Sequence, residues 1–196
     1  MSIELIIAVV VILGLIFYLI SIYNKLISLK NRVDNGWAQI DVQLQRRYDL
    51  IPNLVETAKG YMKHEKETLK MVIDARNAAN EAAKTASGDP SDQNAIKDLQ
   101  ESEQKLQGAM MNFQALAEGY PDLKANTNML ALQEELATTE NKVGFSRQAF
   151  NDAVMQYNTG IEMFPNSLIA NQFKFTQATE WQIEDQEARK NVKVTF

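Results

Sequence analysis

The sequence predicts an all-α protein: an N-terminal transmembrane helix continuous with an antiparallel up-and-down four-helix bundle of long helices, then a partly extended C-terminal tail. Three observations predict it. Ile3 to Tyr23 is an almost unbroken hydrocarbon run. Apolar residues then recur at Ile22, Leu26, Leu29, Val33, Trp37, Ile40 and Leu44, spacings of 4, 3, 4, 4, 3 and 4 that keep one stripe of a helix apolar. Met129, Leu136, Val143, Phe150, Tyr157 and Phe164 fall at every seventh residue, the mark of a second long helix.

The first element is the anchor. Leu5 to Ile20 carries no charge, and a span needs ~20 apolar residues. The start, Met-Ser-Ile-Glu, has no Lys or Arg, and no Ala-x-Ala site follows, so a retained anchor is expected and not a cleaved signal. Tyr18 and Tyr23 stand where interfacial aromatics belong. Lys25, Lys30 and Arg32 follow the span and no basic side chain precedes it. The bundle is therefore expected in the cytoplasm and the N-terminus outside. The span has no GxxxG pair for tight helix dimerisation.

Pro52 lies inside the first helical pattern and should kink the helix or mark a short break. The pattern resumes at Leu54, Val55, Ala58, Tyr61 and Met62, with Gly60 as a candidate cap. A second helix is expected from about His64 to Ala86. The stretch SGDPSD at 87–92 is a loop in which Gly88 ends one helix, Asp89 caps the next and Pro90 suits its first turn. The third helix is expected from about Pro90 to Glu118, closed by Gly119-Tyr120-Pro121. The fourth runs from about Asp122 to Phe164, stopped by Pro165-Asn166. In the tail, Leu168, Ile169, Phe173, Phe175 and Trp181 call for packing. QIEDQEARK reads as a solvated helix, and Val192, Val194 and Phe196 alternate as in an edge strand. The division is 1–23 anchor, 24–166 bundle and 167–196 tail.

Helices one and four are the longest and should lie antiparallel. Aligning them puts Arg46 and Arg47 level with Glu140, Asp41 near Arg147, and Trp37 near Phe150. Asp41, Arg46, Arg47, Asp49, Glu140, Asn141 and Arg147 form the main polar cluster. An ion-pair network that fixes register is the expected role, since buried charges must be paired. An anion or ligand site between helices is the alternative. Glu134/Glu135 and Glu101/Glu103 read as solvated faces, and Asn141, Asn151 and Asn158 as residues specifying register.

Composition excludes several chemistries. There is no cysteine, hence no disulfide, thiolate metal site or thiol nucleophile. His64 is the one histidine, and with Glu65 and Glu67 it lacks paired metal-ligand spacing. It reads as a helix-start residue. The net charge of −5 does not suggest a nucleic-acid partner. No catalytic set, cofactor or metal is expected, and the protein is not expected to be an enzyme.

The stretches DVQLQRRYDLIPNLVETAKGYMKHEKETL (41–69), YPDLKAN (120–126) and LQEELATTENKVGFSRQAFNDAVMQYNTGIEMFPN (132–166), with VKVTF at 192–196, resemble the LemA family. The resemblance covers nearly the whole chain. It implies a helical bundle on a single-pass anchor in a bacterial plasma (inner) membrane, N-terminus outside and C-terminus inside. Within 171–175, where the family often shows a Gly-Phe step, this chain reads NQFKF. The function expected is a non-enzymatic scaffold that self-assembles as a homo-oligomer at the membrane surface. Its partners would be lipid, touched by Phe173, Phe175 and Trp181, and further copies of itself. The alternative is an adaptor or signalling partner that binds another membrane protein, such as a protease or sensor.

Overall fold

The computed structural model describes residues 2–182. Among them there are six helices and no strand. The first, α1 (Ile3–Lys59), is one helix of 57 residues. At 1.5 Å per residue it is ~85 Å long. No Pro or Gly separates the apolar run from the stripe that follows, so nothing stops the helix between them. The large apolar side chains from Ile3 to Ile20 are exposed all round. One-sided burial starts at Ile22 and continues through Leu26, Val33, Trp37, Ile40 and Leu44. Among the described residues, α1 is the one helix long and apolar enough to cross a membrane.

Pro52 lies within this helix without interrupting it. A proline has no N–H to give the carbonyl four residues back, which here is Tyr48 O. Arg76 Nε donates to that oxygen at 2.8 Å, so the next helix repairs the gap.

The other helices are α2 (Lys66–Gly88), α3 (Gln93–Ala117), α4 (Pro121–Lys124), α5 (Thr127–Glu162) and α6 (Asn166–Gln172). Their starts differ from the expectation where side chains compete to cap them. Asp92, not Asp89, opens α3 by accepting the Asn94 N–H at 2.8 Å. Asp89 instead accepts from Ser91 N within the turn. The expected fourth helix is two pieces, because Asn126 accepts the Met129 N–H at 3.0 Å and starts α5 afresh.

The helices α1 and α5 pair antiparallel along most of α5. Arg32 Nη1 donates to Gln156, the Trp37 ring lies 5.5 Å edge-on from Phe150, and Arg46 meets Glu135. Two glycines let them approach. A Cβ on Gly36 would stand 3.1 Å from the Phe150 Cα, and one on Gly160 would stand 2.5 Å from Leu29 Cδ1. On its other side α1 meets α2, with Trp37 and Asp41 reaching Ser87 and Tyr48 lying over Ala79. In turn α2 packs on α3, and one continuous core joins them.

Beyond Phe164 the partly extended tail that was expected opens with the short helix α6. It turns back at Lys174, whose φ of 58° is in the left-handed region. Phe175 N–H returns to Ala170 O at 2.9 Å and closes the helix end. Residues 173–182 then run without helix along α5. The charged stretch after Gln182, with Val192, Val194 and Phe196, lies outside the described residues.

Candidate functional site

The central polar group is built from three helices. Arg47 comes from the buried stripe of α1, Glu103 from α3 and Glu140 from α5. Arg47 Nη1 donates to Glu140 Oε2 at 2.7 Å, and its Nη2 donates to Glu103 Oε2. Tyr48 Oη donates to the other Glu103 oxygen. Arg47 and Glu103 are only 10% and 11% exposed at their side chains, whereas Glu140 is 59% exposed. Burial works against the Arg47 charge, but Glu103 and Glu140 outweigh it and raise its pKa. Burial, reinforced by the Glu103 carboxylate, also raises the pKa of Tyr48. Both groups are thereby held protonated.

The remaining members of the sequence cluster separate. Arg46 sits at the surface and donates to Glu135 through Nε at 3.2 Å. Asp49 faces α2, with Arg76 Nη2 at 3.5 Å and Gln45 Nε2 at 2.8 Å. Asp41 also faces α2 and accepts from Ser87 Oγ at 2.9 Å, not from Arg147. The same hydroxyl accepts from Trp37 Nε1 at 3.0 Å. Arg147 is half-buried, and burial, opposed by Glu140, lowers its pKa. Asn141 is exposed on α5. Level along the helix pair was legible in sequence. Azimuth decides which neighbour each residue meets, and it sends Asp41 and Asp49 toward α2.

Glu103 corrects the expectation of a solvated face. Its neighbour Glu101 is exposed as expected, but Glu103 turns inward to meet Arg47 and Tyr48. The signal was present: Glu103 lies on the face of α3 that carries Leu99 and Leu106, at helical spacings of four and three. Glu135 likewise is half-exposed but paired with Arg46.

Trp181 corrects the tail. It was expected at the lipid surface, but it is 2% exposed and packs 6.1 Å from the Trp37 ring. Two asparagines one heptad apart hold the segment down. Asn158 donates to Ala178 O and accepts from Ala178 N, both at 2.9 Å. Asn151 does the same with Trp181, at 3.1 and 2.9 Å. Tyr157 Oη donates to Thr176 O, and Gln100 Nε2 to Glu180 O. These amides bind extended backbone, which side chains on a helix can reach when spaced by seven. Phe173 and Phe175 lie against Tyr23, at 4.8 and 5.9 Å, and Phe173 is exposed.

An open groove of about 280 Å³ lies beside the Arg47 group, with Leu106, Met110, Phe113 and Leu136 as apolar walls. Its floor is already neutralised, because Arg47 Nη1 and Nη2 face Glu140 and Glu103. That arrangement locks α1, α3 and α5 together and leaves little positive field for a free anion. Among the described residues no three His, Asp or Glu side chains converge as metal ligands.

Comparison at the sequence level supplies the family. The LemA family profile matches residues 36–196, most of the chain. The chain belongs to the LemA family. Protein LemA of Metamycoplasma hominis is 25% identical over 157 residues, covering 79% of this chain and 67% of its own length. The matched region contains the polar lock and the asparagine clamp, while the apolar run of residues 3–23 lies wholly before it.

Proposed function

We propose that this LemA-family chain is a non-enzymatic, single-pass scaffold that self-assembles at the cytoplasmic face of a bacterial plasma membrane. Lys25, Lys30 and Arg32, following the span, support that orientation. The observation that carries self-assembly is a pair of exposed apolar side chains on the two longest helices. Val42 is 63% exposed and Phe145 is 73% exposed. Val42 lies between Ile40 and Leu44 in sequence and so on the opposite side of α1; Phe145 stands in the same relation to Val143. The contacts Trp37–Phe150 and Arg46–Glu135 bracket both, which sets them at one height. A second copy meeting this face would cover both. Native mass spectrometry of the full-length protein in detergent tests the proposal. Multiples of the chain mass that collapse with Phe145→Asp are expected; a monomer at every concentration would refute it.

A second reading, an adaptor for another membrane protein, draws on the far end of α1. There Lys59, Lys63, Lys66 and Lys70 rim an open groove of about 670 Å³ over Val55 and Leu69. It lies ~58 Å along α1 from Ile20 at 1.5 Å per residue. A partner's acidic amphipathic segment would fit it. Mild crosslinking in membranes, followed by recovery of one stoichiometric different chain, distinguishes this reading from self-assembly.

A further inference from the structure

The elbow between α5 and α6 lies at the foot of the helical body. Antiparallel pairing brings Gly160 to the level of Leu26 and Leu29 on α1. The next residues therefore descend to the level of Tyr23, and the Phe173 ring meets Tyr23 at 4.8 Å. This is where α1 changes from exposure on all sides to one-sided burial. Hydrocarbon about 30 Å thick is spanned by ~20 helical residues, which places the boundary near Ile22. The elbow thus sits at the height of the membrane surface.

Its side chains match that height. Phe164 is 80% exposed, and Met163, Leu168 and Phe173 are also exposed. Met163 and Phe164 in the turn, Leu168 on α6 and Phe173 at its end gather exposed apolar surface of the kind that marks an interaction site. Lys25 and Lys174 are exposed at the same level, where ammonium groups meet lipid phosphates. None of the three residues Met163, Phe164 and Leu168 is needed to hold α6, which docks through Ala170 and Ile169.

We infer that this elbow is a second membrane contact, with Met163, Phe164 and Leu168 immersed at the headgroup–acyl boundary beside the span. The contact is with the same bilayer that α1 crosses, and the inference rests on the anchored reading of α1. Span and elbow together fix both the tilt of the helical body and its rotation about α1. Trp181 takes no part, and the lipid contact centres on the start of the tail and the turn before it.

The cysteine-free chain allows a direct test. Single variants Phe164→Cys, Leu168→Cys, Ile12→Cys and Met71→Cys are made in the full chain and labelled with a nitroxide. They are reconstituted in vesicles of phosphatidylethanolamine and phosphatidylglycerol. Relaxation by oxygen, which partitions into lipid, is compared with relaxation by a water-soluble nickel chelate. Positions 164 and 168 are expected to favour oxygen, as position 12 in the span does, while position 71 favours nickel. Nickel preference at 164 and 168 with oxygen preference at 12 overturns this inference alone. Nickel preference at 12 overturns the anchor and the inference together. Shielding of 164 and 168 from both reagents means that protein covers the elbow, and also overturns it.

Discussion

Replacing Glu103 with Gln removes one charge from the lock and leaves its shape nearly unchanged. Arg47 is then buried with a single carboxylate, Glu140, which is largely in solvent. Removing one partner of a buried ion pair costs about 3–5 kcal/mol. The amide can still accept a hydrogen bond and Glu140 remains, so the lower end, about 3 kcal/mol, applies here. A chain of this size loses roughly 2–4 °C of Tm per kcal/mol, so a fall of about 6–12 °C is expected. Glu140→Gln, at a more exposed partner, should cost only about 1 kcal/mol, and Glu135→Gln less. Thermal unfolding followed by circular dichroism in detergent micelles reads all three. Paired replacement by Arg47→Met and Glu103→Leu should recover most of the loss, because no charge is left stranded. Equal effects of Glu103→Gln and Glu140→Gln, or a Tm unmoved by the first, would refute the lock.

Three further outcomes follow from individual residues. Asn151→Ala with Asn158→Ala should release residues 176–182, giving a red-shifted Trp181 emission and rapid tryptic cleavage after Lys174; protection equal to the parent would refute the clamp. Lys174→Gly should stabilise by about 0.5–1 kcal/mol, since glycine takes a left-handed backbone without strain, and a lowered Tm would contradict this. Tyr48 binds its proton more tightly folded than unfolded, so the unfolded state holds fewer protons above pH ~10 and stability falls as pH rises. Tyr48→Phe should flatten that alkaline fall by up to about 1.4 kcal/mol per pH unit, read from urea unfolding at several pH values; an unchanged slope would refute the assignment.

Periodicity made the long helices legible, because an apolar stripe needs a face to bury. It also set the height at which α1 and α5 meet: Arg47 does face Glu140, and Trp37 does face Phe150. What sequence hid was rotational. Glu103 looks like one acid of a charged pair until α3 is turned so that Leu99 and Leu106 point inward. Pro52 left a kink and a break open; the helix runs through it, and Arg76, distant in sequence, donates to the carbonyl that the proline leaves free. Trp181 was legible as apolar but not as buried, since its pocket is formed by Trp37 and α5 together. The asparagines were noticed, yet their partner is backbone, which leaves no pattern in sequence. At 171–175 the absence of glycine was visible, but not that Lys174 itself takes the left-handed region.

Self-assembly across the α1–α5 face is the central functional claim, and it is best measured in membranes with the native chain otherwise intact. A Phe145→Cys variant in a cysteine-free protein reports contact between copies at one position. Mild oxidation of membranes carrying it should trap a dimer, while Met71→Cys, exposed on α2, should stay monomeric. A monomer at position 145, or equal trapping at both positions, would contradict the account.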